Sequence, residues 1–168
     1  LDVLTALSAK ADVHVTVSIP FWDKENARVI EPYVATPERR IRIIATLARA
    51  GLSVGVNVAP VIPGLNDQDI PKILAAAREA GARTCGYVLL RLPGSVEEVF
   101  TGRLRAGLPL VADRVLHRIR ETRGGRMYDP RFGARGSGEG PYARMIESLF
   151  RTTAARLGFR VRERQSEV

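Results

Sequence analysis

A chain of 168 residues is long enough for one domain that removes about two thirds of its unfolded surface from water. Its single cysteine, Cys85, excludes an internal disulfide framework, and with only His14 and His117 as histidines no cluster stands at metal-ligand spacing. The net charge of +8 lies wholly in residues 101–168, which hold 15 basic and 7 acidic residues against 11 and 11 in residues 1–100, so the protein is not uniformly basic.

Leu1, Leu4, Ala6 and Leu7 open a helical pattern that runs to Ala11 and begins on the first residue, which points to a chain cut from something longer. No run approaches the roughly 20 apolar residues of a membrane span, and no signal-like segment leads the chain, so a cytoplasmic protein without membrane contact is expected. Strands are predicted at residues 13–19, 52–59 and 85–91, each followed by helical periodicity, the pattern of parallel βα units. The first helix has Thr36 as N-cap, Pro37 at its first position, the stripe Ile41, Ile44, Ala45, Ala48, and Gly51 as its stop. The second opens near Asn66 or Asp67, turns Ile70, Ile73, Leu74 and Ala77 inward, and ends at Gly81. The third starts at Ser95 with Glu98 as the partner of a capping box. Further helices follow at 109–123 and 141–157, the last with the stripe Tyr142, Met145, Ile146, Leu149, Phe150, Leu157. Residues 1–100 thus read as βα units and 101–168 as a basic helical extension packed on the same core.

Side chains alternate along a strand, so each strand divides into two faces. Val54, Val56 and Val58 oppose Ser53, Gly55, Asn57 and Ala59, while Val13, Val15 and Val17 oppose His14, Thr16 and Ser18. Cys85, Tyr87, Leu89 and Arg91 share a face of the third strand, with Arg91 near its carboxyl end. One face suits helix packing. The other suits a cavity wall that meets a polar ligand, or simply solvent at an incomplete sheet. Sites in parallel α/β proteins lie at the carboxyl ends of strands, which singles out Ser18, the stretch from Asn57 to Asn66, and Arg91.

The segment RGGRMYDPRFGARGSGEGPYA is too rich in glycine for an element interior, and it follows a helix without a Walker lysine, so it reads as a structural connection. Its Arg123, Arg126, Arg131 and Arg135, interleaved with Tyr128 and Phe132, are the candidates for contact with nucleic acid; the plainer reading of the basic residues is a solvated helical face.

Three segments taken together, VSIPFWDKENARVIEPYVATPERRIRIIATLARAGLSVGVNVAPVIPGLND, GYVLLRLP and RGGRMYDPRFGARGSGEGPYA, resemble by their order and spacing the later part of radical S-adenosylmethionine (SAM) proteins related to spore photoproduct lyase, the DNA repair photolyase-like group. The resemblance runs from about residue 10 to 160. Such enzymes use a partial or complete parallel barrel, a four-iron four-sulfur cluster and SAM, which is cleaved reductively to a 5′-deoxyadenosyl radical. It implies that the three strands are the fourth to sixth of a TIM-like partial barrel. It also implies that Ser18 meets the ribose or methionine moiety and that Arg39 or Arg40 faces the methionine carboxylate. Asn57 belongs to the same cofactor-facing wall, the backbone around Val61 and Ile62 packs against adenine, and Leu90 with Arg91 approaches the nucleoside. Asn66 is expected to cap the following helix. Trp22 is a candidate to stack a substrate base or a lid on its own core, and Arg126, Tyr128, Arg131 and Arg135 are substrate-facing candidates.

The family's CxxxCxxC loop, whose three thiolates hold the cluster, is not in this chain, and Cys85 cannot stand in for it. The resemblance therefore implies the carboxy-terminal portion of such an enzyme, or a scaffold that has lost the chemistry. No catalytic residue or metal ligand is assigned, and neither SAM nor the cluster is expected to be retained by this chain alone. The alternative is a non-catalytic nucleic-acid-binding module formed by residues 103–164. Unpaired strand edges or the barrel face also offer a route to a homodimer.

Overall fold

The computed structural model describes residues 1–130 and 134–161. Its centre is a four-stranded parallel sheet of β1 (His14–Ser18), β2 (Ser53–Val61), β3 (Thr84–Leu89) and β4 (Arg160–Val161), in which strand order follows chain order. The helices around it are α1 (Asp2–Ser8), α2 (Lys24–Ile30), α3 (Pro37–Arg49), α4 (Ile70–Glu79), α5 (Val96–Gly107), α6 (Pro109–Glu121), α7 (Ala134–Ser137) and α8 (Gly140–Arg156). The architecture is α/β, and among the described residues no helix is long and apolar enough to cross a membrane.

Local sequence sets the crossover helices. Thr36 Oγ1 accepts the Arg39 N–H at 3.3 Å, Pro37 occupies the first turn of α3, and Gly51, at φ +79°, takes the left-handed conformation that turns the chain into β2. Ile44 and Leu47 of α3 are buried, with Ile41 and Ala48 packed beside them. In α4, Ile70, Ile73, Leu74 and Ala77 are fully buried, each large side chain contributing about 1.5–3 kcal/mol by leaving water. These join Val54, Val56 and Val58 of β2 and Ile146 and Phe150 of α8 in one core on one side of the sheet. A second core lies beyond the carboxyl ends of the strands, where Phe21, Ile62, Leu90 and Leu92 meet Phe100 and Leu104 of α5 and Val115, Leu116 and Ile119 of α6.

Several expectations are corrected. The capping box at Ser95 does not form: Ser95 is itself helical at φ −64° and ψ −14°, and its side chain caps nothing. Met145 is exposed, because the buried side of α8 runs through Ala143, Ile146, Phe150, Thr153 and Ala154, where the small residues let α8 close on α4. Among the described residues three elements add to those expected: α2, whose N-cap Asp23 accepts the Asn26 N–H at 2.8 Å; β4, which pairs with β3 through Thr84–Arg160 and Cys85–Val161; and α7, a single turn of helix within the glycine-rich segment read as a connection, which corrects that reading. The register of β2 against β3 shifts between Val58 and Val61, where the Ala59–Pro60 peptide is cis.

Candidate functional site on the polar face of the sheet

Paired residues of parallel strands share a face, so the register separates the two sides of the sheet. Val15–Val54, Val17–Val56–Cys85 and Val58–Tyr87 lie on the helix-covered side. The opposite side carries the rows His14–Ser53, Thr16–Gly55–Thr84 and Ser18–Asn57–Gly86. This side is open: Thr16 and Ser18 are exposed, and His14, Ser53, Asn57 and Thr84 are half-buried. None of these rows contains an acidic side chain, a lysine or an arginine. What the face offers a ligand is uncharged hydrogen bonding, suited to hydroxyls, amides or the edge of a heterocycle.

Towards the amino ends of the strands, His14 bridges its neighbours, with Nδ1 2.9 Å from Ser53 Oγ and Nε2 3.1 Å from Thr84 Oγ1. The imidazole crosses directly over Gly55, where a Cβ would overlap Thr84 Oγ1 and stand 2.9 Å from His14 Nε2. Gly55→Ala should therefore cost about 1–3 kcal/mol, as overpacking does, and Thr84→Ala in the same chain should restore part of it. A double-mutant cycle by urea unfolding checks this, and strictly additive losses would show that the contact is not the cause.

At the carboxyl ends, Ser18 and Asn57 project from adjacent strands, and no described residue hydrogen-bonds either side chain. Asn57 Oδ1 leans over Gly86, 3.2 Å from where a Cβ would stand. The loops above are fixed by buried polar groups. Asn66 is fully buried; its Oδ1 accepts the Ile62 N–H at 2.6 Å, and its Nδ2 donates to the carbonyls of Pro20 at 2.7 Å and Pro60 at 3.0 Å. Its expected role as a helix cap is corrected, since the amide joins the end of β1 to the end of β2 and caps nothing. Asp67 accepts the Gly64 N–H at 3.1 Å and the Tyr142 hydroxyl at 2.6 Å. Burial, and then Asp67, push the Tyr142 phenol up to about 12, while the Arg118 guanidinium lies 4.5 Å over its ring.

Asp69 Oδ2 accepts the Trp22 N–H at 3.0 Å and so holds the turn after β1. Burial raises its carboxyl above the ordinary 3.8, against the opposing pull of the Trp22 and Asp23 N–H groups. A raised folded-state value means that this group's stabilising contribution is complete below the unfolded value and is lost as pH rises through the folded one. Asp69→Asn keeps an acceptor for Trp22 and is expected to match or exceed the parent's stability at neutral pH. That gain should shrink as pH falls toward 3.8. Urea midpoints across this range test it, and a loss of stability at neutral pH would contradict it.

The other expected site residues are placed as follows. Arg40 is committed internally: its Nη1 donates to the Ser18 carbonyl at 2.7 Å, its Nε to the Ala35 carbonyl at 3.0 Å, and its Nη2 meets Glu31 at 3.2 Å. Arg39 lines a groove between α1 and α3, on the side of α3 opposite the buried Ile44, and so is not brought to the polar face. Val61 and Ile62 are fully buried; the Val61 carbonyl receives the Leu90 N–H at 2.8 Å, and Ile62 is tied to Asn66. Leu90 is buried and Arg91 is exposed beyond the end of β3. Trp22 is 38% exposed, Arg126 is exposed and Tyr128 half-buried. Arg123 is corrected as a nucleic-acid contact, because it is buried and donates to the Leu90 carbonyl at 2.9 Å. Arg131, Phe132 and the side chain of Arg135 lie outside the described residues.

Cys85 sits on the covered face with its thiol pushed up to about 12 by burial, and among the described residues no group of His, Cys, Asp or Glu is arranged to hold a metal. The sequence reading missed the Ser53–His14–Thr84 bridge and the Asp67–Tyr142 bond. The first was signalled by a histidine on the polar face of β1 beside hydroxyl residues on the next two strands. The second joins residues 75 positions apart and has no local signal.

No family model matches the chain. Over 116 residues, 68% of its length, it is 31% identical to uncharacterized proteins of Mycobacterium bovis and Mycobacterium tuberculosis, and the match covers 34% of each. The chain thus spans about a third of the length of the curated relatives it matches. No solved structure matches it.

Proposed function

We propose that the open polar face is the SAM- and substrate-facing wall of a radical SAM enzyme of the spore photoproduct lyase-like, DNA repair photolyase-like group, with β1, β2 and β3 as strands four to six of a TIM-like partial barrel. One observation carries the reading. Parallel sheets are ordinarily covered and apolar on both faces, whereas here one face is apolar and helix-covered and the other is small, polar and uncharged, with the side chains of Ser18 and Asn57, where its strands end, hydrogen-bonded to none of the described residues.

The residues present fit the two cofactors differently. Three convergent thiolates are needed for a four-iron four-sulfur cluster, and a lone buried Cys85 on the far face does not fit, so the cluster's ligands belong to another part of a longer protein. SAM fits in part: Ser18 and Asn57 would hold its hydroxyl or amino-acid groups above the floor left by Gly86, and Arg40 would act only by fixing the carbonyl of Ser18. The isolated chain is accordingly inactive in reductive SAM cleavage.

The test is anaerobic reconstitution with iron, sulfide and reductant, assayed for 5′-deoxyadenosine. The full-length protein should form it, Asn57→Leu should weaken SAM binding at least about tenfold, and the 168-residue chain should form none. Turnover by the isolated chain, or none by the full-length protein, would overturn the reading. The alternative of a nucleic-acid-binding module draws on exposed Arg126 beside half-buried Tyr128. Salt-dependent oligonucleotide binding lost in Arg126→Glu would favour it. β1 is an edge strand, so a further strand, from the same protein or from a second copy, fits beside it.

A further inference from the structure

The segment that follows β2 carries three buried polar side chains, and each ties a different part of the fold to it. Asn66 holds the backbone after β1 and the end of β2 through the carbonyls of Pro20 and Pro60, and Asp69 holds the Trp22 N–H. Asp67, 7% exposed, reaches in another direction: it accepts the Gly64 N–H of its own loop at 3.1 Å and the Tyr142 hydroxyl of α8 at 2.6 Å. Pro20 lies two residues beyond Ser18, and Pro60 three beyond Asn57. The loop that Asp67 shapes therefore borders the strand ends where Ser18 and Asn57 project.

The grip on this loop comes from helices late in the chain. A phenol that donates to a carboxylate at 2.6 Å forms a short, charge-assisted bond, about twice as strong as a neutral one. Burial, and then Asp67, push the phenol up to about 12, so it remains a donor throughout the neutral range. Arg118 of α6 lies 4.5 Å over the Tyr142 ring, is paired with Glu121 at 2.7 Å, and packs on Gly64, where a Cβ would stand 3.1 Å from Arg118 Cγ. Gly64 itself takes φ +79°, a left-handed turn that glycine allows and that the Asp67 carboxylate holds by its N–H. Removing the Tyr142 hydroxyl leaves a buried carboxylate short of a donor, which favours its turning away from Gly64. The helix α8 stays docked, because Ile146 and Phe150 hold it to the core. We propose that Tyr142 is a positioning residue for the SAM site, acting through Asp67 on the loop from Ile62 to Leu65; this rests on the function proposed above.

The test uses the full-length protein and SAM itself, below the temperature at which any variant begins to unfold. Tyr142→Phe keeps the ring and removes only the hydroxyl. Equilibrium dialysis should show SAM binding weakened about fivefold or more. In the 5′-deoxyadenosine assay the KM for SAM should rise by a similar factor with kcat unchanged, a split that lost stability alone does not produce. Hydrogen exchange across residues 62–67 should be faster in the variant, with β1 to β3 exchanging as in the parent. Arg144→Ala, exposed on the same helix, should change none of these. Absence of SAM binding by the parent overturns the proposed function and the role of Tyr142 with it. Parent binding that Tyr142→Phe leaves unchanged, a fall in kcat at constant KM, equal exchange of the loop, or the same loss in Arg144→Ala overturns the role of Tyr142 alone.

Discussion

Asn66→Ala is expected to lower the unfolding free energy by about 3–5 kcal/mol, a large part of the roughly 5–15 kcal/mol that holds a domain together. The side chain is fully buried, and its loss strands three backbone groups at once: the Ile62 N–H and the carbonyls of Pro20 and Pro60. A buried polar group left without a partner costs about 1–3 kcal/mol, more than the bond itself contributes net. Asn66→Asp separates the donor and acceptor roles. It keeps an acceptor for Ile62 but turns an anion toward two carbonyls, so it should be at least as damaging as alanine. Trp22, the single tryptophan, lies two residues from Pro20, so its fluorescence reports release of this loop while far-ultraviolet circular dichroism reports the whole fold. An Asn66→Ala protein within about 1 kcal/mol of the parent would mean that the amide does not hold the two strand ends together.

Phe150→Ala should cost a similar amount, about 3–5 kcal/mol, by the loss of transferred surface and the cavity left behind. Its ring is 1% exposed and sits 4.8 Å from that of Tyr87 at 45°, joining α8 to the covered face of β3. Because α8 leads directly into β4, loosening it should also free the pairing of Val161 with Cys85. The second readout is therefore chemical. The Cys85 thiol, held at about 12 by burial, should resist iodoacetamide at neutral pH in the parent and react measurably faster in Phe150→Ala. Phe150→Leu, which keeps most of the volume, should restore most of the stability and the protection. Equal alkylation rates in parent and alanine variant would show that α8 does not guard that strand.

The parts of this fold legible in the sequence are those fixed by neighbours along the chain. Thr36, Pro37 and Gly51 mark the ends of α3 without any tertiary information, and alternation of Val54, Val56 and Val58 with Ser53, Gly55 and Asn57 separates the two faces of β2. Ser18 and Asn57 follow from that alternation, since a polar residue at the end of a half-apolar strand has few other places to go. Less legible were elements whose existence depends on distant partners. The two residues of β4 form a strand only because β3 has an edge to pair with, and Ser95 looks like a cap although its backbone is already helical. Arg39 and Arg40 illustrate the boundary. Steps of about 100° put Arg39 far round the helix from Ile44 and Arg40 close beside it, which was readable. That Arg40 would be consumed by Ser18, Ala35 and Glu31 depends on where a loop folds back. Burial of Val61 in the core that α8 completes, and of Ile62 in the core formed with α5 and α6, likewise arises from residues far along the chain.

Strand order equal to chain order has a consequence for how the molecule is made. Each βα unit finds its hydrogen-bonding partner in the strand synthesised just before it, so the sheet can extend in the direction of translation without waiting for a distant segment. The exception is Phe150, with its neighbours on α8, which seals the covered face of strands that left the ribosome much earlier. Until α8 arrives, Tyr87 lacks the Phe150 ring and the core lacks Ile146 and Ala154, and this interval is when the nascent chain is most exposed to aggregation or most in need of a chaperone.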